Sequence, residues 1–442
     1  MLKNENTILA VRNYLIVSIV LYVLLCAYSF LLGYKNNVPS YLEAGRLLVV
    51  FNFLLFTFLA FTDLKPSRLF LFNAILFFTI VIVIKYLYVQ EGLSVFGSHK
   101  DSDGIIKITM HYGDKSFGEY VDILINKYRF NAADLGIFAT NYFLYQLNPD
   151  KNFIAIGILF FSTIALFIST VLLYKIQLQL EIDKRLARLS TVFFVAFPYT
   201  IWVGAAGLKE IVFVTLILAS LYLIVRVSNH RRLSLILLAC VAIAFTGLFR
   251  TVIMVILLLT LIVAVFVTER SKKLFLWFSI VAIIIGGILL PTILEYMFGR
   301  TEESTEALLD YRFQNKLPDG WVGKAFLWFL GLFGPLPNLS RDGTQFICSI
   351  AMFLKGAFTL SFLLGVYEII KKELRSYYPL VIFALCNIAM VSHTGVGLDM
   401  RFHYTYMPVF FVIALNSHKN RPTLYFLYLF LYSALIYLYM MR

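Results

Sequence analysis

Long apolar runs separated by short polar connections dominate the pattern of this chain. A membrane-spanning helix needs about 20 apolar residues, and about thirteen runs approach that length. The runs are continuous, as in helices, and lack the alternation of apolar and polar residues that is typical of a transmembrane barrel. We therefore predict an all-α fold, a polytopic integral membrane helical bundle forming a single membrane domain over residues 1–442. The predicted spans are 14–32, 47–62, 69–84, 153–174, 189–203, 211–225, 233–249, 251–267, 274–294, 346–370, 378–391, 404–415 and 424–440.

Composition supports the same class, because 60% of the residues are hydrophobic and only 14% are charged. That is more apolar surface than a soluble core can bury. The four cysteines fall in or beside apolar runs without paired spacing, so we interpret them as small buried hydrophobes rather than as disulfides or metal ligands. Residues 1–13 precede the first run, and no cleavage pattern of small residues follows that run near Tyr34. This predicts a retained first span rather than a signal peptide.

Basic residues mark every second connection between the predicted spans. Short loops rich in lysine and arginine stay in the cytoplasm, so the alternation predicts a cytoplasmic N-terminus and an outer C-terminus in a bacterial inner membrane. The net charge of +13 is then a signal of orientation, and we expect no nucleic-acid partner. The basic connections contain Lys65 and Arg68; Lys175, Lys184, Arg185 and Arg188; Arg226, Arg231 and Arg232; Arg270, Lys272 and Lys273; Lys371, Lys372 and Arg375; Lys419 and Arg421.

This orientation leaves two long segments, 90–152 and 295–345, on the outer side. Within the first, 118–147 could form an interfacial helix. Within the second, the aromatic-rich stretch 325–336 is too short to cross and predicts a re-entrant or interfacial piece. The apolar run 233–267 is too long for one crossing and is interrupted by Gly247 and Arg250. We expect a tight helical hairpin with Arg250 at its turn.

Two carboxylates in the sequence HKDSDG of the first outer loop are candidate catalytic groups. Asp101 and Asp103 could hold a divalent cation, or one could act as a general base with its pKa raised by the other. A solvated acidic turn ending at Gly104 is the alternative. We expect no other cofactor.

Charged residues also stand at the outer ends of later spans. Lys209 and Glu210 begin the sixth span and could bind substrate as a charged pair, with Glu210 as a further catalytic candidate. Glu210 could instead cap the positive end of its helix. The planar guanidinium of Arg250 suits bidentate phosphate recognition, and its alternative role is to snorkel from the hairpin turn to the membrane surface.

The connection SHTGVGLDMRFHYTYMP concentrates His393, Asp399, Arg401 and His403 between two apolar helices. Either histidine alone could be structural, but the cluster is denser than a connector requires. Arg312 adds a cation from the second outer loop. The predicted substrate-binding residues are Lys209, Arg250, Arg312, Arg401, His393 and His403.

Cations, carboxylates and histidines at the outer boundary suit a substrate linked to a lipid phosphate. Arginines could clamp the phosphates while a carboxylate or histidine deprotonates an acceptor hydroxyl, which displaces the phosphate at a sugar carbon. The sequence contains no P-loop, Rossmann fingerprint, HExxH motif or serine-nucleophile elbow in the required context.

Three stretches, FPYTIWVGAAGLKEIVFVTLILASLYLIVR, GLFRTVIM and MRFHYTYMPVFFVIAL, resemble bacterial membrane glycosyltransferases of the GT-C class. The resemblance implies that an outer-loop acid, Asp101 or Asp103, serves as base. That acid usually follows the first span, whereas three predicted spans precede it here. Segment 295–345 is similar to the long outer loop of O-antigen polymerases and ligases. Arg312 and Gly323 match an arginine, ten residues, glycine pattern of some polymerases.

The expected function is transfer of a glycan from a polyprenyl-(di)phosphate carrier, as a repeat-unit polymerase of surface polysaccharide. A GT-C single-sugar transferase is the closest alternative. A flippase or transporter for lipid-linked oligosaccharides, and a structural scaffold, are alternatives of other classes. The expected partners are the lipid-linked donor and acceptor and membrane lipid, with a chain-length regulator as a candidate.

Overall fold

The computed structural model describes residues 12–14, 16–17, 20, 48, 52–53, 55, 65–90, 100–128, 134–267, 328–334, 343–393, 400–416 and 422–440. Within these ranges the secondary structure is helical and no strand occurs, which confirms the all-α prediction. The main helices are α1 (Pro66–Gln90), α2 (Lys100–Tyr112), α3 (Phe117–Asn126), α4 (Leu135–Leu147), α5 (Lys151–Gln179), α6 (Lys184–Ala196), α7 (Pro198–Ala206), α8 (Glu210–His230), α9 (Leu233–Gly247), α10 (Thr251–Ile262), α11 (Gly343–Lys371), α12 (Tyr378–His393), α13 (Met400–Tyr404), α14 (Met407–Asn416) and α15 (Pro422–Met440).

Local sequence signals explain several helix ends. Asp150 caps α5 by accepting a hydrogen bond from the backbone N–H of Phe153 at 2.8 Å. Ser116 and Glu119 form a reciprocal capping box at the start of α3, which satisfies backbone donors that the helix leaves free. Gly207 ends α7 with a φ of 65°, a left-handed conformation that favours glycine because a Cβ would be strained there.

Several described helices are long and apolar enough to cross a membrane, which indicates a membrane-embedded protein. Five pass on length and composition, namely Pro66–Leu87, Lys151–Gln179, Glu210–His230, Ala351–Lys371 and Arg375–Ser392. A sixth is added if α6 and α7, which meet at 43°, form one broken span. The predicted number of about thirteen spans is not confirmed. The predicted spans 14–32, 47–62 and 274–294 lie wholly or largely outside the described residues.

Proline explains the break between α6 and α7. Pro198 is the first residue of α7, where its fixed φ is tolerated but its missing N–H interrupts the hydrogen-bond ladder from α6. The hydroxyl of Thr200 donates to the carbonyl oxygen of Phe194 at 3.0 Å, so a side chain satisfies an acceptor that the break exposes. The predicted single span at 189–203 is therefore a bent pair of shorter helices.

Most of the predicted span 404–415 lies in α14, which has only 10 residues, a length of about 15 Å against a bilayer core of about 30 Å. A separate short helix, α13, precedes it and ends at Tyr404. A full crossing at 404–415 is therefore not confirmed. Every residue of α14 is buried within the protein.

The predicted hairpin over 233–267 is confirmed. Helix α9 ends at Gly247 and α10 begins at Thr251, with Arg250 between them, and the two helices pack against each other.

The core forms where the long helices pack on one another. Helix α8 packs against α5 and α9, α1 packs against α5, and α11 packs against α14. Helices α2, α3 and α4 form a smaller cluster of their own, in which Tyr120 and Leu124 of α3 contact Ile137, Phe138 and Tyr142 of α4. The segment predicted as one interfacial helix, 118–147, is thus divided between α3 and α4, because the two must fold back to bury these side chains.

Candidate functional site

Three turns that are distant in sequence meet at one end of the bundle. The backbone N–H of Gly136, at the start of α4, donates to the carbonyl oxygen of Leu248 at 3.1 Å. The Lys209 ammonium, just before α8, donates to the carbonyl oxygen of Phe249 at 3.3 Å. A Cβ at Gly136 would overlap the Phe249 ring, so only glycine permits this close approach. The α9–α10 turn is thereby held beside α4 and α8.

Two ion pairs join these turns. Lys209 pairs with Asp134, and Arg250 approaches Glu210 with 3.6 Å between Nη2 and Oε1. We name Asp134, Lys209, Glu210 and Arg250 the turn cluster. Lys209 and Glu210 are adjacent in sequence but have different ion-pair partners, because adjacent positions on a helix do not face each other. Each instead binds a partner from another turn.

The Arg250 guanidinium lies close to two aromatic rings. Its centre lies 4.4 Å from the centroid of the Phe402 ring and 5.6 Å from that of the Phe213 ring, a geometry that favours a planar cation. Arg250 is also the residue before α10, with an extended backbone. The two rings and the Glu210 carboxylate together orient the guanidinium. An arginine that only extends from a turn to the membrane surface would need no such partners.

Glu210 has an unusual environment for a carboxylate. Only 3% of the residue is exposed, and its Oε1 faces Arg250. Its Oε2 has no hydrogen-bond partner among the residues that the structure describes. The positive end of α8 favours a negative charge at this position, but a buried oxygen without a partner is costly. Glu210 therefore presents an acceptor that a bound hydroxyl or water could satisfy.

Asp103 is surrounded by lysines instead. Its two carboxylate oxygens contact Lys107 at 2.7 Å and Lys151 at 3.1 Å. Burial alone raises the pKa of Asp103, but the hydrogen bonds and charges of the two lysines outweigh burial and lower the pKa below its ordinary value. The expected raised pKa is therefore wrong for Asp103, and its oxygens are already engaged.

The cation predicted at Asp101 and Asp103 is not tested by these contacts. Asp101 lies in α2, and its side chain is outside the described residues. In the part of the chain that the structure describes, no group of three or more histidine, cysteine or acidic residues could hold a metal ion. The Ser102 hydroxyl lies against Gly207, so the DSD stretch neighbours the turn that precedes Lys209.

The short helix α13 connects the turn cluster to the rest of the bundle. Phe402 contacts Arg250, and the next residue but one, Tyr404, donates its hydroxyl hydrogen to Thr200 Oγ1 of α7 at 3.1 Å. Arg401, half-buried, precedes Phe402 on α13. Phe402 and Tyr404 of α13 therefore reach two different parts of the bundle, the α9–α10 turn and α7.

His403 belongs to a second polar group deeper in the bundle. The Lys355 ammonium of α11 lies 2.9 Å from His403 Nδ1 and 3.2 Å from the carbonyl oxygen of Gly331, and it also contacts the carbonyl oxygen of Gly334. The Tyr406 hydroxyl lies 2.7 Å from His403 Nδ1. Lys355, His403 and Tyr406 are fully buried. We name these three residues and the two carbonyl groups the lysine cage.

The structure brings together Lys209, Glu210 and Arg250 and links them through α13 to His403. His393 ends α12, with its side chain outside the described residues, and Arg312 also lies outside them. Sequence reasoning missed Asp134 and Lys355. A lone lysine within an apolar run is a signal that could have identified Lys355, whereas Asp134 is recognisable only from its tertiary partner.

No protein-family model matches this chain, and no curated protein or solved structure matches it. The functional assignment therefore rests on the chemistry of the turn cluster and the lysine cage.

Proposed function

We propose that this protein is a membrane glycosyltransferase that uses a polyprenyl-(di)phosphate-linked glycan donor at the outer face of a bacterial inner membrane. The main support is the environment of Glu210. This buried carboxylate has one oxygen without a hydrogen-bond partner among the residues that the structure describes, and it lies beside the guanidinium of Arg250, which contacts the Phe402 ring. A proton acceptor and a planar cation at the end of a membrane helix are the two groups that such a transfer needs. Assembly of surface polysaccharide as a repeat-unit polymerase is the favoured form.

In the proposed reaction, Glu210 Oε2 accepts the proton of an acceptor hydroxyl. The hydroxyl oxygen forms a bond to the anomeric carbon of the donor, and the bond from that carbon to the phosphate oxygen breaks. The (di)phosphate leaves with the bonding electrons, and Arg250 stabilises its charge. The products are a lengthened glycan, a free lipid (di)phosphate and a proton on Glu210.

The charges of the turn cluster permit an exchange of partners. The distance of 3.6 Å between Arg250 and Glu210 exceeds the roughly 2.7 to 2.9 Å of a strong charge-assisted hydrogen bond. A phosphate could therefore displace Glu210 from the guanidinium without breaking a strong hydrogen bond between those two side chains, while the Phe402 ring stays in contact with the guanidinium. Lys209 and Arg401 lie nearby along the chain as further cations, and Arg312 remains a proposed contributor.

The orientation of the site belongs to the same proposal. If the basic connections face the cytoplasm, the α7–α8 and α9–α10 turns lie on the outer side, where a lipid-linked donor would be presented. The partners would be donor, acceptor and membrane lipid, with a chain-length regulator as a candidate and no nucleic acid.

The proposal is tested with purified protein in proteoliposomes that contain a polyprenyl-diphosphate-linked repeat unit. We expect products of increasing length with wild-type protein and little product with Glu210→Gln. In cells, lipid A capped with one repeat unit after deletion would indicate a lost polymerase, whereas loss of a side-branch sugar alone would indicate a single-sugar transferase. A deletion strain with unchanged surface glycans would contradict both forms.

Transport of a lipid-linked oligosaccharide is the second candidate. Two observations favour it: the bend of 43° between α6 and α7, and the buried Lys355 within a candidate span. Broken helices and buried charges are features of transporters. The same proteoliposomes distinguish the two functions, because a transporter would move the labelled lipid across the bilayer without forming a glycosidic bond.

A further inference from the structure

Helix α11 carries a lysine where a membrane helix is otherwise apolar. Lys355 is fully buried, and no carboxylate among the described residues contacts it. The carbonyl oxygens of Gly331 and Gly334 accept hydrogen bonds from its Nζ, and Nδ1 of His403 lies 2.9 Å from the same atom. These polar contacts offset part of the cost of burying the amine.

These acceptors belong to two separate parts of the chain. Both carbonyl groups come from the segment 328–334, which contains a short helix, and the imidazole comes from α13. One turn further along α11, the Thr359 hydroxyl donates to the carbonyl oxygen of Leu332 at 3.4 Å. The Tyr406 hydroxyl lies 3.3 Å from the carbonyl oxygen of Gly331. The lysine therefore stands where α11, segment 328–334 and the region of α13 meet.

We propose that Lys355 is a built-in monovalent cation that positions segment 328–334 and α13 against each other. Through α13 it holds Phe402 beneath the guanidinium of Arg250. Lys355 is thus a positioning residue, since it acts through His403 and the segment and touches no group of the turn cluster. The inference is independent of whether the turn cluster performs transfer or transport.

Chemical rescue tests whether the positive charge matters. Lys355→Ala removes three carbons and the ammonium group, which n-propylammonium replaces atom for atom, and 1-propanol is the neutral counterpart. We expect the variant to show a lower Tm, faster hydrogen exchange at residues 328–334 and about a tenfold loss of activity. Added n-propylammonium should restore part of each property, whereas 1-propanol should not.

Three comparisons make the result decisive. Lys355→Met fills the space without the charge and should resemble Lys355→Ala. Lys371→Ala, at the exposed end of the same helix, is the matched control and should resemble wild-type protein. If Lys355→Ala does not fold alone, the yield of folded protein is compared after purification with each additive. Equal rescue by 1-propanol and n-propylammonium, no rescue by either, or wild-type exchange and Tm in Lys355→Met would overturn the proposal.

Discussion

Asp103 and Glu210 are both buried acidic residues, but their neighbours give them different chemical capacities. Asp103 is held by two lysines, and these keep its pKa low. Glu210 faces one guanidinium and retains an oxygen without a partner in the described part of the chain. A general base needs a free lone pair within reach of the proton that it takes. Of these two acids, Glu210 therefore has the surroundings that suit a proton acceptor better, whereas the prediction of an aspartate base rested on the position of the DSD stretch in a long outer loop.

Substituting the two acids separates these roles. Glu210→Gln should reduce the rate of glycan transfer by about 10²- to 10⁴-fold, the usual range for loss of a general base, and Asp103→Asn should reduce it much less. Initial rates in proteoliposomes, normalised to folded protein, provide the measurement. A wild-type transfer rate in Glu210→Gln, together with a large loss of rate in Asp103→Asn, would indicate that the general base lies in α2.

The shape of the Arg250 side chain matters as well as its charge. Arg250→Lys retains a cation but loses the planar group that stacks on Phe402 and the fork that binds phosphate through two hydrogen bonds. We expect a folded protein with much reduced activity and a raised KM for the lipid-linked donor. Lys371→Arg, which keeps the charge at an exposed position, is the control. Full activity in Arg250→Lys would reduce Arg250 to a surface anchor.

At the scale of elements, one carboxylate ties α2 to the beginning of α5. Asp103 contacts Lys107 on its own helix and Lys151 at the first position of α5. The second contact crosses from the small cluster of α2, α3 and α4 to a candidate membrane span. A change in the charge of Asp103 should therefore alter how firmly the small cluster is attached.

The attachment should weaken in acid. Because the folded pKa of Asp103 is below its ordinary value of about 3.9, its ion pairs stabilise the fold fully above that value, and the contribution is lost as the pH falls through the lowered pKa. The Tm difference between wild-type protein and Asp103→Asn should be constant from about pH 7 to 5 and shrink below about pH 4. Thermal unfolding in detergent across this range gives the measurement, and a difference that grows in acid would contradict it.

At the scale of the whole molecule, short helices and turns complete a bundle of longer ones. The α6–α7 bend, the α9–α10 turn and the two helices α13 and α14 depart from simple spans, and residues of the turn cluster and lysine cage lie at or beside these departures. Irregular backbone within a membrane is stable only where protein or a polar cavity surrounds it. The polar groups therefore lie where the surrounding protein can satisfy irregular backbone, as this rule requires.

Reporter fusions test the orientation that this assignment requires. The alternation of basic connections predicts that fusions after Lys115 and after Lys316 lie outside the cytoplasm, with a cytoplasmic N-terminus and an outer C-terminus. A fusion in the basic connection after Lys184 should be cytoplasmic and is the internal control. Cytoplasmic signals from the Lys115 and Lys316 fusions would move the turn cluster to the inner side, where an outer lipid-linked donor could not reach it.

Composition and hydropathy were sufficient for the helical, membrane-embedded class, because apolar runs of this length require a bilayer and a bilayer requires satisfied backbone groups. The α9–α10 hairpin was also predictable, since Gly247 and Arg250 interrupt one overlong run. Only the tertiary structure showed that the predicted span 404–415 is mainly the short buried helix α14, because short buried helices and short spans have the same apolar composition. Likewise, the charged residues at 209, 210 and 250 were visible in sequence, but their pairing was not, since Asp134 and Phe402 reach them from distant turns. Partner choice depends on distances across the fold, and hydropathy along one chain contains no such distances.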